Sequence, residues 1–432
     1  PENPEAGIDL FLEKLVQETE KEHEDILEQA DETDAMFGEL YSWYLRNPEY
    51  RSRVQKLVQS AFAGKPEDII SQSVAKALYG EVSPYSATRL ERFAACAFAH
   101  FLQYGMKLTE RVEYEFKPMD MGNVMHEALE SFAEEVRKRG MKWTELTEQE
   151  RNEIADRCLD NIVADYGNTV LKSSARNEYM IERTRRILRR TVWALQKQLE
   201  QGEFQPEGFE VTFGGGRIDR VDIMEDQNKV YVKVIDYKTG NTSFDLVYLY
   251  HGLQLQLMIY LDGALRVEQK KYPDKEIIPA GVFYYNIKDP MIQEKIDADV
   301  EAVSAGLMKE LKMNGLAQAD PELVYRMDSS LGSIPVAFNK DGSFRKNSSV
   351  ADRTQFAVLG RYVRTKIEKI RSSILEGDAE VSPYELGKKN ACTYCPYMTV
   401  CGFDRRLSGY EFRRLKNFSD EELWKAFDRE AE

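Results

Sequence analysis

The chain has 432 residues, 42% of them hydrophobic, enough for one large core or two to three ordinary domains. No stretch approaches the roughly 20 apolar residues that cross a bilayer, and no basic-then-apolar leader opens it, so a cytoplasmic protein without a membrane partner is expected. The formal charge of −15 argues against a nucleic-acid partner only until its distribution is read: the first 34 residues hold 13 acidic and 2 basic side chains, and the rest is close to neutral. The chain starts at Pro1 rather than at a methionine, which suggests a piece of something longer.

From Leu10 to about Tyr79 the period is helical, with breaks at Asn47-Pro48 and Gly64-Lys65-Pro66. Ser86 offers an N-cap to a helix whose apolar face runs through Leu90, Phe93 and Ala94 toward Phe98 and Phe101, with Cys96 on it or just after it. A short strand is expected over 111–116 and helices over 121–139, 147–164 and 176–201. Between Arg176 and Lys197 the last helix carries seven basic residues against Glu178 and Glu182, which makes it either a solvated face or a DNA-tracking surface. The period then changes to two, giving strands over 209–213, 216–223 and 229–237. A helix over 246–269, a strand over 280–286, helices over 294–313 and 350–375 and a cysteine-rich tail complete the pattern. Strands bracketed by helices indicate an α/β core.

The strongest catalytic signal is Gly216-Arg217-Ile218-Asp219 followed by Asp236-Tyr237-Lys238-Thr239-Gly240. Residues two apart on a strand share a face, so Asp236 and Lys238 are neighbours, while Ile235 and Tyr237 pack behind. A charged pair on an apolar strand is costly to desolvate unless something compensates, and a divalent cation held also by Asp219 from the adjacent strand would do so. Phosphodiester hydrolysis needs such a set: a carboxylate-bound Mg²⁺ or Mn²⁺ lowers the pKa of its water, and Lys238 can orient or help deprotonate it. His126 lies on a helix that could face the same ion, or is an ordinary helical histidine. Gln256 and Tyr260 lie four apart on one helix face, where they could contact the substrate while Leu253, Leu257 and Leu261 pack on the sheet.

Together, Gly-x-Ile-Asp, Asp-Tyr-Lys-Thr-Gly, the Gln-x-x-x-Tyr helix and the upstream Gly122-x-x-x-His126 helix resemble the RecB-family branch of PD-(D/E)xK nucleases. The resemblance implies a restriction-endonuclease-like α/β core, a central mixed sheet flanked by helices, with a helical N-terminal lead-in and helical insertions. It assigns Asp219 and Asp236 as metal-binding carboxylates, Lys238 as catalytic lysine, His126 as a further metal ligand, and Gln256 with Tyr260 as the substrate-side motif.

Five cysteines in a chain without a signal peptide do not read as a disulfide framework. Cys392, Cys395 and Cys401 form a C-x₂-C-x₅-C set one ligand short of four; Cys96 is the better candidate to complete it, since Cys158 lies in mid-helix. Spacing alone allows zinc or a [4Fe-4S] cluster. One cysteine before the core and three after it is similar to the iron-sulfur nuclease domain of the AddB subunits of AddAB-type helicase-nucleases, with Ala97 standing where a proline usually follows the first cysteine. That resemblance covers 83–405, leaving 1–82 as the helical end of a preceding helicase-like region and 406–432 as a C-terminal helical tail. It implies a [4Fe-4S] cluster, an exonuclease acting on single-stranded DNA ends in double-strand-break repair, the 5'-terminated strand as substrate, and an A-type helicase-nuclease subunit as partner. No Walker A motif occurs, so an ATP-driven motor would lie elsewhere. Two other readings are a DNA-end-binding scaffold with a vestigial site, which predicts a broken residue set, and a Cas4-type CRISPR adaptation nuclease, which predicts a chain about half as long.

Overall fold

The computed structural model describes residues 32–61, 69–80, 86–110, 118–165, 174–214, 216–292, 299–407 and 409–431. The strand expected over 111–116, most of the acidic start and the break at Gly64-Lys65-Pro66 lie outside them. In chain order the helices before the sheet are α1 (Glu32–Arg46), α2 (Pro48–Ala61), α3 (Gln72–Tyr79), α4 (Ala87–Ala95), α5 (Ala97–His100), α6 (Pro118–Lys138), α7 (Glu148–Asp165) and α8 (Ala175–Glu200). Strands β1 (Gln205–Phe213), β2 (Gly216–Asp226) and β3 (Lys229–Lys238) follow, then α9 (Leu246–Tyr250), α10 (Gln256–Lys271) and β4 (Glu276–Asn286). The remainder is α11 (Val300–Glu310), β5 (Asn314–Gln318), α12 (Pro321–Met327), β6 (Val350–Ala351), α13 (Arg353–Glu376), β7 (Tyr384–Leu386), β8 (Lys389–Asn390), α14 (Met398–Cys401), β9 (Arg413–Arg414) and α15 (Asp420–Ala431).

The chain forms two compact units, each assembled from separated segments. The larger, built from the described residues of 82–94, 109–372 and 417–432, contains a six-stranded mixed sheet in the order β1 to β6. Its first three strands are an antiparallel meander; β3 and β4 run parallel, β4 and β5 antiparallel, β5 and β6 parallel. The parallel step follows from the long connection through α9 and α10, which carries the chain back across the sheet. One face buries Ile235, Tyr237, Phe283 and Tyr285 in a core with α6, α7 and α8, where Phe132, Leu159 and Leu188 are at most 1% exposed. On the other, α10 packs Leu257, Met258 and Leu261 toward β3 and β4.

Two expected helices are interrupted. The single helix over 246–269 is two, because Gly252 adopts φ +79° and the chain turns through Gly252–Leu255 before α10 begins at Gln256. The helix capped by Ser86, whose hydroxyl accepts from the Arg89 N–H at 3.4 Å, stops at Ala95 because Cys96 is extended (φ −165°, ψ 119°). It resumes as α5 and ends in a π-turn over Phe101–Gly105.

The smaller unit gathers the described residues of 32–80, 95–108 and 373–416. Its α1 and α2 pack through Tyr44 and Val54, both fully buried. A second cluster joins Cys96, Ala99 and Leu102 to Tyr397, whose hydroxyl donates to the Leu108 carbonyl at 3.0 Å. A three-stranded sheet in the order β8-β7-β9 frames the cysteine-rich segment.

Candidate active site and metal centres

Strand register builds the site. The two-residue loop between Phe213 and Gly216 pairs Phe209 with Arg220 and Val211 with Ile218, which sets Glu210 beside Asp219. Pairing of Arg220 with Ile235 sets Asp219 beside Asp236. Glu210, Asp219 and Asp236 therefore form one row across β1, β2 and β3, on one face of the sheet. Glu210 holds φ +49°, a left-handed conformation that costs a residue with a side chain about 1–2 kcal/mol and aims its carboxylate into the row.

His126, on α6, closes the set. Its Nε2–H donates to the Tyr237 carbonyl at 3.1 Å, which leaves Nδ1 facing Asp219 Oδ2 at 3.4 Å and Glu210 Oε1 at 3.7 Å. A histidine held this way by a backbone carbonyl presents the other nitrogen as a ready metal ligand. One ligand atom each from His126, Glu210 and Asp219 lie within 4.8 Å of one another. Asp236 is 1% exposed, and neither of its carboxylate oxygens accepts a well-formed hydrogen bond. Its partner is the Lys238 ammonium, in an ion pair at 2.5 Å.

Electrostatics separate this row from the structural carboxylate nearby. Burial, then the Asp236 charge, pushes Asp219 up to about 7, even though it accepts from the Tyr237 N–H at 2.7 Å. Burial also raises Asp236, against the pull of Lys238. His126 is pulled down by burial but raised overall by its contact with Glu210 and the charge of Asp219. Asp222, on the opposite face, is fully buried yet stays low: burial is outweighed by Arg220, which donates at 2.6 and 2.9 Å, and by Lys233 at 3.0 Å. Arg220 in turn lies 5.7 Å from the Trp143 ring and 5.6 Å from that of Phe209. Asp222 is satisfied; Asp236, in the row, is not. Under-coordinated, mutually repelling carboxylates beside a histidine nitrogen fit the donor set of a hard divalent cation.

Lys238 also donates to Gln256 Oε1 at 2.8 Å, and Gln256 Nε2 donates to the Tyr260 hydroxyl at 2.9 Å. Gln256 lines the cleft of about 570 Å³ above the row, whereas Tyr260 is 8% exposed and sits behind it, edge-on to Phe213. The structure thus brings His126, Asp219, Asp236, Lys238 and Gln256 to one cleft, with Tyr260 as support. Glu91 and Glu210 belong beside them and were not among the residues expected from sequence. Glu91 accepts from the Leu255 and Gln256 N–H groups at 2.7 and 3.0 Å, capping α10 in place of Leu255, whose side chain makes no cap. Burial raises Glu91 to about 7, against these two hydrogen bonds and the Lys238 charge. The basic run on α8 is engaged locally: Arg185 with Asp156, Asp160 and Glu182, Arg186 with Asp289, Arg189 with Asp156, and Arg190 over Trp193.

Within the smaller unit, Cys96, Cys392, Cys395 and Cys401 line one small cavity. Burial, then the neighbouring thiols, pushes Cys392 up to about 12, and the Phe403 N–H donates to Cys401 Sγ at 3.5 Å. Cys158 lies in the helical core of the larger unit, so the fourth member of the set is Cys96. Thiols that repel one another as thiolates, with a backbone donor on one sulfur, fit a thiolate-bound metal group.

A mixed sheet carrying a carboxylate row, with an Asp-x-Lys pair on its third strand, defines the PD-(D/E)xK class. The family model described as the PD-(D/E)XK nuclease superfamily matches residues 84–402, and the chain belongs to that superfamily. Among individual proteins it is similar to the B subunit of the ATP-dependent helicase/deoxyribonuclease of Lachnoclostridium phytofermentans, at 41% identity over 93% of this chain and 36% of that protein. Proteins of the same description from a Thermoanaerobacter species (33% identity, 93% of this chain, 37% of theirs) and Alkaliphilus metalliredigens (34%, 92% and 37%) are similar too. The chain spans little more than a third of the length of these curated relatives.

Proposed function

We propose that this chain is the metal-dependent deoxyribonuclease part of a helicase-nuclease, an exonuclease on single-stranded DNA ends that degrades the 5'-terminated strand in double-strand-break repair. The observation that carries this reading is Asp236: buried, without a well-formed hydrogen bond to either oxygen, in one row with Asp219 and Glu210, and paired with Lys238. Asp236, Asp219, Glu210 and His126 would hold Mg²⁺ or Mn²⁺. When bound, the ion supplies a water of lowered pKa and neutralises charge on the phosphoryl oxygens. Lys238, held in the cleft by Gln256, orients the attacking water; its O–P bond forms as the ester P–O bond breaks, and the proton ends on the departing oxygen. Tyr260 keeps the Gln256 amide turned toward Lys238.

The four cysteines would hold a [4Fe-4S] cluster. They line one cavity, and the order of one cysteine before the core and three after it, as in the iron-sulfur nuclease domains the chain resembles, supports the cluster over zinc. The role of the cluster is structural, since hydrolysis transfers no electrons. An A-type helicase-nuclease subunit is the expected partner, as the relatives' description as B subunits suggests. Residues 1–82 would end a preceding helicase-like region and 406–432 form a tail after the nuclease segment. Work on chromosomal DNA implies the cytoplasm, and no helix among the described residues is long and apolar enough to cross a membrane.

The test is digestion of end-labelled single-stranded DNA by the full chain in Mg²⁺. Asp236→Asn and Lys238→Ala are expected to slow it by roughly 10²–10³-fold, with products shortening from the 5' end. Equal digestion by wild type and Asp236→Asn would defeat the assignment.

A further inference from the structure

Two residues along the strands from the carboxylate row lies a second row. Arg217 lies two residues from Asp219 on β2 and Lys238 two residues from Asp236 on β3, and both line the cleft that those carboxylates line. They are the two permanent cations lining the cleft. Each reaches back to one end of the carboxylate row: Lys238 to Asp236 at 2.5 Å, Arg217 to Glu210. The row is thus bracketed by side-chain cations, one at each flank.

The two pairs differ in burial. Glu210 is 6% exposed on its side chain, whereas Arg217 is 64% exposed, reaching in from solvent on a long flexible stem. Glu210 Oε1 faces His126 Nδ1 while Oε2 takes Arg217, so one carboxylate is shared between the ligand cluster and the guanidinium. A divalent cation drawing on Oε1 withdraws the carboxylate charge that Oε2 offers Arg217 and so weakens that ion pair. Arg217, once released, still lines the open cleft, where Glu130 also feels its charge, and the incoming group there is a phosphodiester. A planar guanidinium matches two phosphate oxygens at once, which an ammonium cannot do.

We propose that Arg217 is a substrate-binding residue held in reserve: it neutralises Glu210 until a divalent cation takes that carboxylate, and then contacts the DNA phosphate. Metal loading and DNA binding are thereby coupled through one side chain. This rests on the nuclease reading of the site. It goes beyond that reading in giving Arg217 opposite effects on the two ligands.

The experiment uses the full chain with two probes. Mn²⁺ binding is followed by electron paramagnetic resonance of the free ion, and binding of a fluorescein-labelled single-stranded oligonucleotide by anisotropy in Ca²⁺, to avoid cleavage. Arg217→Gln, at an exposed position, is expected to bind Mn²⁺ several-fold more tightly than wild type and the oligonucleotide roughly tenfold more weakly. Arg217→Lys should restore the Mn²⁺ affinity but only part of the DNA affinity. Tighter Mn²⁺ without weaker DNA, weaker DNA without tighter Mn²⁺, or no change in either overturns the proposal. Asp236→Asn separates the two levels. If it loses Mn²⁺ while Arg217→Gln behaves as wild type, this inference alone fails; if it binds Mn²⁺ as wild type does, the metal-site reading fails and takes this inference with it.

Discussion

Asp219 and Asp222 stand three residues apart on one strand, and their roles differ because an odd spacing puts them on opposite faces. Asp222 is neutralised by Arg220 and Lys233 inside the helical core, while Asp219 has the Tyr237 N–H, the His126 ring and a repelling neighbour. Alternation shows that the two aspartates face opposite ways and that Lys238 lies two residues from Asp236; that Asp219 is the one beside Asp236 needs the β2–β3 register. The sequence does not show that Asp222 has buried cationic partners, since Lys233 comes from another strand. Glu210 was readable in principle: counted outward from the Gly214-Gly215 loop it mirrors Asp219, but that requires trusting the hairpin register over a non-alternating stretch. Glu210→Gln keeps the size of the side chain and removes its charge. It is expected to weaken Mn²⁺ binding about 10–100-fold by calorimetry, whereas affinity equal to wild type would remove Glu210 from the ligand set.

At the scale of elements, β3 and α10 are the working parts, and Glu91 on α4 is what holds α10. The first was legible from Ile235-Asp236-Tyr237-Lys238, where apolar and functional residues alternate. The start of α10 was not, because Leu253, Leu257 and Leu261 continue a helical period straight through the turn that Gly252 introduces. Strands β5 and β6 also escaped the pattern: Asn314–Gln318 holds no β-branched residue and Val350–Ala351 is two residues long. The Glu91 cap is tertiary, made across a long separation in sequence, and no local signal announces it.

Glu91 has a raised folded pKa of about 7 against the usual 4.5, so its ionisation opposes folding. The penalty is absent below the unfolded value, grows as pH rises from 4.5 toward 7, and is full above that. Between pH 5 and pH 8 wild type should lose on the order of 2 kcal/mol of stability relative to Glu91→Gln by urea unfolding. Parallel pH dependence in the two proteins would contradict the burial argument. The Glu91 carboxylate oxygen holds the two N–H groups at the start of α10 and so fixes the backbone that carries Gln256. Glu91→Ala and Gln256→Ala should accordingly be non-additive in cleavage rate, and strict additivity would show that the cap does not act through Gln256.

For the molecule as a whole, separated segments build each unit, and a pass along the sequence reads them as consecutive. The cysteines hinted otherwise. Cys96 is close to 300 residues from Cys392, yet both line one cavity of the smaller unit. A metal group bridging them closes a long loop, and by the chain-entropy relation for covalent cross-links that closure is worth about 6 kcal/mol. Cys401→Ser should therefore lose visible iron-sulfur absorbance and melt at lower temperature, while Asp236→Asn keeps the absorbance. A serine variant with unchanged colour and melting would remove Cys401 from the cluster. The family came within reach of sequence because its motifs are short and local; the arrangement of segments that unites the cysteines is set by packing.

The central claim, that one row of strand carboxylates with His126 forms a divalent-cation site, is tested most directly by anomalous diffraction from crystals of the full chain soaked in Mn²⁺. The expected result is a peak within coordination distance, about 2.1 Å, of Asp219 and Asp236 oxygens and His126 Nδ1, with Lys238 drawn off Asp236. A map with no peak there, and Asp236 still paired with Lys238 at saturating Mn²⁺, would contradict it.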